Sequence, residues 1–218
     1  MSVITIERKV LEKNDTLAAQ NRELFSGHRL FVVNMVSSPG SGKTSLLERT
    51  IEHLGSKKRL AVIEGDVQTD YDAQRLARYH IPVVQIVTNG GCHLEANLVK
   101  NALTNFDLKS VDLLIIENVG NLVCPANYDL GETMKVVLMS TTEGDDKPLK
   151  YPAMFRNSGA LVINKVDLLP YVNCHLEDLK QNALQINPSL KIFETSCTTR
   201  AGISQWCDWL AQKVPVHP

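Results

Sequence analysis

Short apolar runs alternate with amphipathic helical segments from residue 30 to residue 213, and this alternation limits the possible folds more than any other feature. The runs are strand-sized and rich in β-branched residues. Strands separated by helices pair in parallel, because each helix returns the chain to the same end of the sheet. The pattern predicts an α/β fold with three layers, in which a mostly parallel, twisted sheet is flanked by helices. The predicted strands are 30–36, 59–63, 83–87, 112–117, 136–140, 161–163 and 191–194, and the predicted helices are 43–54, 69–79, 93–105, 174–186 and 203–213.

The composition excludes several classes of protein. With 218 residues and 44% apolar content, the chain can bury the core of one globular domain. A net charge of −1 gives no broad basic field, so neither nucleic acid nor a membrane surface is an expected partner. No apolar run approaches the roughly 20 residues of a membrane-spanning helix, and no signal-peptide block opens the sequence. We therefore expect a cytoplasmic protein, in which five scattered cysteines do not form a disulfide framework.

Two segments differ from the strand–helix pattern. Residues 4–25 place apolar side chains at helical spacing among charges, which predicts an amphipathic helix packed on the main domain. The predicted organisation is thus an N-terminal helix in residues 1–28 and the main domain in residues 29–218. The apolar face of this helix could equally contact a partner. Residues 141–152 contain glycine, two prolines and mixed charge, which predicts an exposed, mobile loop.

A glycine-rich segment, SSPGSGKT, joins the first predicted strand to the first helix of the alternating pattern. This context is the one that the phosphate-binding P-loop requires. Glycines let backbone N–H groups approach a phosphate closely, and the helix N-terminus adds partial positive charge. Ser37 stands where the general motif has its first glycine, so the loop is a variant. An ordinary glycine-rich turn is the alternative. The fold is predicted to be a P-loop NTPase whose nucleotide-binding residues are Gly40, Ser41, Gly42, Lys43, Thr44 and Ser45.

A second motif, NKVD, ends a later predicted strand and indicates which base is bound. An ionised Asp167 only accepts hydrogen bonds, so it can pair with the ring N–H and the amino group of guanine together. Adenine lacks that pair of donors. Asn164 is expected at the other edge of the base and Lys165 along its plane. The tripeptide TSC, with Ser196 and Cys197, resembles the loop that closes over the base in GTPases, although such a tripeptide is more often an ordinary turn. The predicted ligands are therefore GTP and GDP.

Acidic residues follow two other predicted strands, at the edge where doubly wound sheets bind ligands. Asp66 is the first candidate for binding Mg²⁺ or orienting the attacking water, and Asp70 is the second. Glu117 begins the segment ENVG, a DxxG-like motif in which the Gly120 amide can sense the γ-phosphate. Acidic groups also act as helix N-caps, which is the preferred interpretation of Asp72. The predicted catalytic residues are Lys43, Asp66 and Asp70, and the predicted Mg²⁺ ligands are Thr44, Asp66 and Glu117.

Two cysteines and a histidine suggest a second metal site. Cys92 and His93 follow a predicted strand and start a predicted helix, and Cys124 lies shortly beyond Glu117. Thiolate and imidazole suit Ni²⁺ and Zn²⁺. Three ligands leave one coordination position open, or allow a second protomer to complete the shell. On its own, a Cys-His pair is more often an ordinary packed or exposed pair than a ligand set.

Five segments taken together, VSSPGSGKTSLL, EGDVQTD, GGCHLEA, ENVGNLVCP and NKVDLLP, resemble the HypB family in the SIMIBI branch of P-loop GTPases. They span about residues 32–170 in order. The resemblance implies a homodimeric GTPase that binds metal at the dimer interface through Cys92, His93 and Cys124. It implies delivery of Ni²⁺, with Zn²⁺ able to use the same site, during NiFe-hydrogenase maturation. The implied partners are a HypA-like accessory protein and the hydrogenase large-subunit precursor.

The shared segment between the two predicted sites suggests a mechanism. Cys124 follows Glu117 and Gly120 closely, so loss of the γ-phosphate is expected to displace a metal ligand and change metal affinity. Turnover by the isolated subunit is expected to be slow, because no arginine stands at a recognisable motif position. Two alternatives stay open. One is a sibling metallochaperone GTPase that serves urease or a cobalamin enzyme, and the other is a GTP-binding scaffold without turnover.

Overall fold

The computed structural model describes residues 5–68 and 71–215, and these residues form one seven-stranded sheet. The strand order is β3-β2-β4-β1-β5-β6-β7. Every neighbouring pair in this sheet is parallel, which confirms the predicted α/β fold. The strands are β1 (Phe31–Ser37), β2 (Leu60–Asp66), β3 (Val83–Val87), β4 (Leu113–Glu117), β5 (Met134–Ser140), β6 (Ala160–Asn164) and β7 (Lys191–Glu194).

Helices cover both faces of the sheet. They are α1 (Thr5–Gly27), α2 (Lys43–Leu54), α3 (Tyr71–Ala77), α4 (Ala96–Leu103), α5 (Lys147–Lys150), α6 (Pro152–Arg156), α7 (Leu176–Ile186) and α8 (Ile203–Lys213). Short 3-10 helices occupy Leu108–Ser110, Cys124–Ala126, Thr141–Glu143 and Val166–Tyr171. The predicted bounds of α2, α8, β3 and β7 agree with the structure. The prediction that Cys92 and His93 start a helix is wrong, because α4 begins at Ala96 and leaves them in the preceding loop.

The core lies on both sides of the central strands. Residues of β1 and β4 are buried throughout, as their continuous apolar sequences require of strands covered on two faces. Val33 packs with α2 and α8 on one face, whereas Val32 packs with Phe25 of α1 and Val99 of α4 on the other. Because all the strands are parallel, their carboxyl ends meet at one open edge of the sheet, which is where parallel sheets bind ligands. Among residues 5–68 and 71–215, no helix has the length and apolar character needed to cross a membrane.

The helix α2 is held against α8 by a buried indole. Trp206 is 1% exposed, and its Nε1 donates a 3.0 Å hydrogen bond to Oγ1 of Thr50. Trp209, one turn further along α8, is only partly buried. The first tryptophan therefore carries more of the packing that supports α2.

We expect Trp206→Ala to lower the free energy of unfolding by about 3–5 kcal/mol, because it leaves a large cavity and removes the hydrogen bond that the Thr50 hydroxyl accepts. Urea unfolding followed by circular dichroism measures the loss. Trp209→Ala is the matched control and should cost clearly less. Equal losses in the two variants would contradict the assignment of the packing to Trp206.

Candidate functional site

The glycine-rich loop joins β1 to α2 as the motif predicts. Gly40 and Gly42 have φ values of 75° and 98°, in the left-handed region that favours glycine. Ser37 ends β1 in ordinary strand conformation, so serine needs no strain where the general motif has glycine. Its hydroxyl accepts a 3.0 Å hydrogen bond from Nζ of Lys43. The lysine is thereby held over the loop in which a phosphate would lie.

The NKVD segment lies directly against the glycine-rich loop. Asn164 is 1% exposed, and its Nδ2 donates to the carbonyl of Ser41 at 3.1 Å. Lys165 has a φ of 62°, and its Nζ donates to the carbonyl of Gly40 at 2.7 Å. A Cβ at position 42 would lie 2.5 Å from Nδ2 of Asn164. These contacts fix the predicted base-binding residues relative to the predicted phosphate-binding residues.

The predicted base-closing loop also meets Asn164. Oδ1 of Asn164 accepts hydrogen bonds from Oγ1 of Thr195 at 3.3 Å and from Sγ of Cys197 at 3.4 Å. Burial raises the pKa of the Cys197 thiol to about 11, so this cysteine stays protonated and can donate. Ser196 is buried and its Oγ accepts from the backbone N–H of Thr199, which shapes its own loop. Asp167 lies half-buried in the 3-10 helix that follows β6.

Carboxylates gather where β2 and β4 end beside α2. Oγ1 of Thr44 donates a 2.9 Å hydrogen bond to Oε1 of Glu117. Glu64 is paired in register with Glu117 on the neighbouring strand. One carboxylate oxygen each of Glu64, Asp66 and Asp72 lies within 4.8 Å of the others. The predicted Mg²⁺ ligands are thus found in one region, whereas Asp70 lies outside the described residues.

The electrostatics of this cluster fit a divalent cation. Burial, with the nearby Glu117 charge second, raises the pKa of Glu64 to about 8. Burial also raises the pKa of Glu117 to about 7, against the opposing effect of Lys43. One carboxylate oxygen of each, Oε2, is buried without a hydrogen-bond partner. A cation bound here would supply the missing partner and favour the ionised carboxylates.

Sequence reasoning missed part of this cluster. Glu64 was not selected, although it is an acidic residue within an otherwise apolar strand, LAVIEGD. The prediction that Asp72 is a helix N-cap is wrong, because α3 already begins at Tyr71. Its carboxylate instead accepts a 3.0 Å hydrogen bond from Arg75 and lies near Glu64. The parallel pairing of β2 with β4 places Glu64 beside Glu117, and the sequence of one strand does not reveal that neighbour.

The segment 141–152 is not the exposed loop that its composition predicts. It contains a 3-10 helix, all of α5 and the first residue of α6, and Thr141 is buried. Glu143 accepts from Oγ of Ser41 at 2.7 Å and from the backbone N–H of Ser140 at 2.8 Å. Lys147 donates to Oγ of Ser38 at 3.2 Å. The signal that could have found this contact is the spacing of Ser140 and Glu143, an S-x-x-E capping box after a strand.

Cys92, His93 and Cys124 lie together at the same edge of the sheet. Their ligand atoms are all within 4.8 Å of one another, and the two sulfurs are 2.9 Å apart. Burial lowers the pKa of His93, which favours the neutral imidazole that binds metals. Its Nε2 is buried without a hydrogen-bond partner, and its ring packs on that of Tyr128 at 3.8 Å. This donor set suits a borderline or soft divalent ion.

The loop that follows β4 connects the two sites. A Cβ at Gly120 would lie 3.1 Å from Pro39, so the loop backbone is packed on the glycine-rich loop. The buried Asn118 accepts from the backbone N–H of Leu94 at 3.1 Å, just after His93. Asn121 donates to the carbonyl of Cys92 at 3.2 Å and accepts from the backbone N–H of Val123. The segment between Glu117 and Cys124 therefore contacts both the phosphate-binding loop and the other metal-ligand loop.

Comparison with known proteins agrees with this arrangement. The model of the CobW/HypB/UreG nucleotide-binding domain family matches residues 31–194. The hydrogenase maturation factor HypB of Azotobacter vinelandii is 50% identical over 97% of this chain and 70% of its own length. That of Escherichia coli K12 is 47% identical over 95% of this chain and 72% of its own length. The chain belongs to the HypB family.

Solved HypB structures have the same fold. HypB from Archaeoglobus fulgidus superposes with a TM-score of 0.87 at 42% identity, covering 92% of this chain and 98% of that one. HypB from Helicobacter pylori, solved in complex with nickel, superposes with a TM-score of 0.88 at 39% identity, covering 94% and 99%. A transport system kinase, LAO/AO, shares only the fold, with a TM-score of 0.59 at 16% identity. The chain therefore shares the fold of the solved HypB structures.

We expect Gly42→Ala to weaken nucleotide binding about tenfold more than Gly40→Ala. Both substitutions place alanine at positive φ, which costs about 1–2 kcal/mol. Only the first also pushes a methyl group against Asn164, since Gly40 has no atom within 4 Å of an added Cβ. Titration with a fluorescent guanine nucleotide measures both affinities. Equal affinities would show that the close approach of Asn164 does not matter for binding.

Proposed function

We propose that this HypB-family chain is a GTPase that uses GTP hydrolysis to control the binding and release of Ni²⁺ during NiFe-hydrogenase maturation. The observation that carries this proposal is the continuous loop from Glu117 to Cys124. One end of the loop contacts Thr44 and the glycine-rich loop, and the other end supplies a metal ligand. A change at the phosphates therefore has a short covalent path to the metal site.

Guanine selectivity is proposed to come from Asp167. Its carboxylate follows Asn164 and Lys165, which are already tied to the phosphate-binding loop at Ser41 and Gly40. An acceptor-only carboxylate matches the paired donors of guanine and leaves adenine unrecognised. Cys197 is proposed to hold Asn164 in place rather than to touch the base, because its thiol contacts Oδ1 of Asn164.

Hydrolysis is proposed to depend on three groups of this chain. Lys43 would bind the β- and γ-phosphates, and the Gly120 N–H would sense the γ-phosphate. Asp66 would orient the attacking water, a role that Asp70 could share. Thr44, Asp66 and Glu117 would hold Mg²⁺, with Glu64 close to them, and the ion would supply charge stabilisation to the transferring phosphate. Turnover is expected to be slow, since the nearby Arg75 is paired with Glu48 and Asp72.

Ni²⁺ is proposed as the cargo of Cys92, His93 and Cys124. Two thiols and one imidazole within 4.8 Å leave part of the coordination shell unfilled. A second copy of the chain could supply the remaining ligands, as expected for a metal-promoted homodimer. Zn²⁺ could use the same ligands. A HypA-like accessory protein and the hydrogenase large-subunit precursor are the proposed partners in the cytoplasm.

The alternative function within this family of domains is that of a metallochaperone for urease, and one observation supports it. A relative from Helicobacter hepaticus, named a hydrogenase/urease maturation factor HypB, is 43% identical over 96% of this chain. Cargo and mechanism would be the same in that case, and only the recipient enzyme would differ.

We expect Asp167→Asn to bind GTP about 100-fold more weakly, because two charge-assisted hydrogen bonds to guanine are lost. Xanthosine triphosphate should become the better ligand, since its base offers an acceptor to the new amide. Competition titrations with the two nucleotides measure the change. Asp178→Asn, an exposed change on α7, is the control. Unchanged preference for GTP would remove Asp167 from the base site.

We expect Cys124→Ser to weaken Ni²⁺ binding by about 100-fold or more. Removing a group that only supports a metal ligand typically weakens metal binding by about 10–100-fold, and removing the ligand itself should weaken it more. Calorimetric titration with Ni²⁺ is done on the GDP form and on a form loaded with a non-hydrolysable GTP analogue. In the wild type the two forms should differ in affinity, and Ni²⁺ must change nucleotide affinity by the same factor. Cys174→Ser, at a half-buried thiol outside the cluster, is the control. Equal Ni²⁺ affinity in the two nucleotide forms would leave a metal site without control by GTP.

A further inference from the structure

Helix α1 carries two buried asparagines on the side that faces the metal-ligand loops. Asn14 and Asn21 are 4% and 1% exposed, and their spacing of about two helical turns places them on the same face. Asparagine favours neither a helix interior nor a buried position, and a buried amide without partners destabilises a protein. These side chains therefore have to find polar partners on the elements packed against α1.

Their partners are backbone groups next to the metal ligands. Oδ1 of Asn14 accepts from the N–H of Ala96 at 2.9 Å, and its Nδ2 donates to the carbonyl of Asp129 at 2.8 Å. Nδ2 of Asn21 donates to the carbonyls of Ala96 at 2.9 Å and of Leu130 at 3.0 Å. Each asparagine thus bonds at once to both segments that carry metal ligands. One segment leads from His93 to Ala96, and the other leads from Cys124 to Leu130.

Further contacts fix the second segment on α1. Arg22 forms an ion pair with Asp129, with Nη2 2.6 Å from Oδ2. The backbone of Gly131 lies so close that an added Cβ would be 2.6 Å from the carbonyl oxygen of Ala18. Tyr128, which directly precedes Asp129, packs its ring on that of His93. The position of α1 is therefore transmitted to the imidazole through the next residues of the chain.

The other end of the first segment is held by the loop after β4, where Asn118 accepts from the N–H of Leu94 and Asn121 donates to the carbonyl of Cys92. The same loop leads directly into Cys124, the start of the second segment. The α1 contacts lie at the downstream ends, away from Glu117 and Gly120. The two sets of contacts thus act on different parts of the metal site. One set belongs to the loop that is proposed to respond to the nucleotide, and the other joins the two segments through α1.

We propose that Asn14 and Asn21 are positioning residues for the metal site, setting the distance between the segment bearing Cys92 and His93 and the segment bearing Cys124. This inference rests on the proposed metal-binding function of those three residues. In this view α1 is the third support of the site, together with the sheet edge and the loop after β4. Outer groups that orient metal ligands typically change metal affinity by 10–100-fold when removed.

The test compares Asn14→Leu and Asn21→Leu with Gln20→Leu. Gln20 neighbours Asn21, is exposed, and accepts a 2.8 Å hydrogen bond from Lys100 of α4, so it controls for general contact between the helices. Each full-length variant is titrated with Ni²⁺ alone, and the thiolate-to-nickel charge-transfer absorption is recorded. This spectrum reports the geometry of the ligands, which a loss of stability alone would not alter. Nucleotide binding in nickel-free buffer that contains Mg²⁺ shows that the domain is folded.

We expect about tenfold weaker Ni²⁺ binding and an altered charge-transfer spectrum in both asparagine variants, with wild-type behaviour in Gln20→Leu. Wild-type affinity and spectrum in the folded asparagine variants would overturn the proposal. So would an equal loss in Gln20→Leu. If neither asparagine variant folds, Gly131→Ala is used instead, because its methyl group would push the second segment away from α1 without altering the asparagines. Weaker Ni²⁺ binding with an altered spectrum in Gly131→Ala would support the proposal, and wild-type affinity and spectrum would overturn it.

The wild type is titrated first, beside Cys124→Ser. If the wild type shows no Cys124-dependent charge-transfer band, the metal site itself is absent and the positioning role falls with it. A normal band in the wild type that is unchanged in the asparagine variants removes only the positioning role. The two failures are thereby distinguished.

Discussion

The packing of Gly120 on Pro39 is the contact on which the arrangement of the two sites depends. It arises because β1 and β4 are parallel neighbours, so the loops that leave their carboxyl ends meet at one edge of the sheet. One of these loops surrounds the phosphate position, and the other leads to Cys124. A side chain at position 120 would separate them. The absence of a Cβ thus permits the close contact through which the proposed nucleotide-dependent movement would reach Cys124.

Buried polar side chains hold the stems of the loop after β4. Asn118 donates to Asn34, and Asn34 donates to Glu132. Glu132 lies 3.7 Å from Lys135, whose Nζ also donates to the carbonyl of Pro125 beside Cys124. Buried polar groups require such partners, and a connected network resists small independent shifts. These contacts restrain the loop at both ends, and α1 lies on its outer side.

The fold and the principal site segments were predictable from local patterns, and the errors have physical causes. Continuous apolar runs identified the strands, and the glycine-rich loop and NKVD segment were recognised by the elements around them. The segment from Thr141 was misjudged because polar composition also suits residues that contact a polar loop, as Glu143 does with Ser41. Glu64 was missed because its importance depends on the register that places it beside Glu117. A single strand carries no information about its neighbour.

The amino-acid sequence by itself determined the order of strands and helices, and it predicted the phosphate-binding, base-binding and metal-ligand segments. Each of these depends on residues close together in the chain, where spacing and side-chain chemistry act directly. Only the tertiary structure decided which acids lie close together, that Cys92 approaches Cys124, and that Asn14 and Asn21 bond to both segments with predicted metal ligands. These contacts join residues far apart in sequence, and they exist only because parallel pairing and helix packing bring distant loops to one edge.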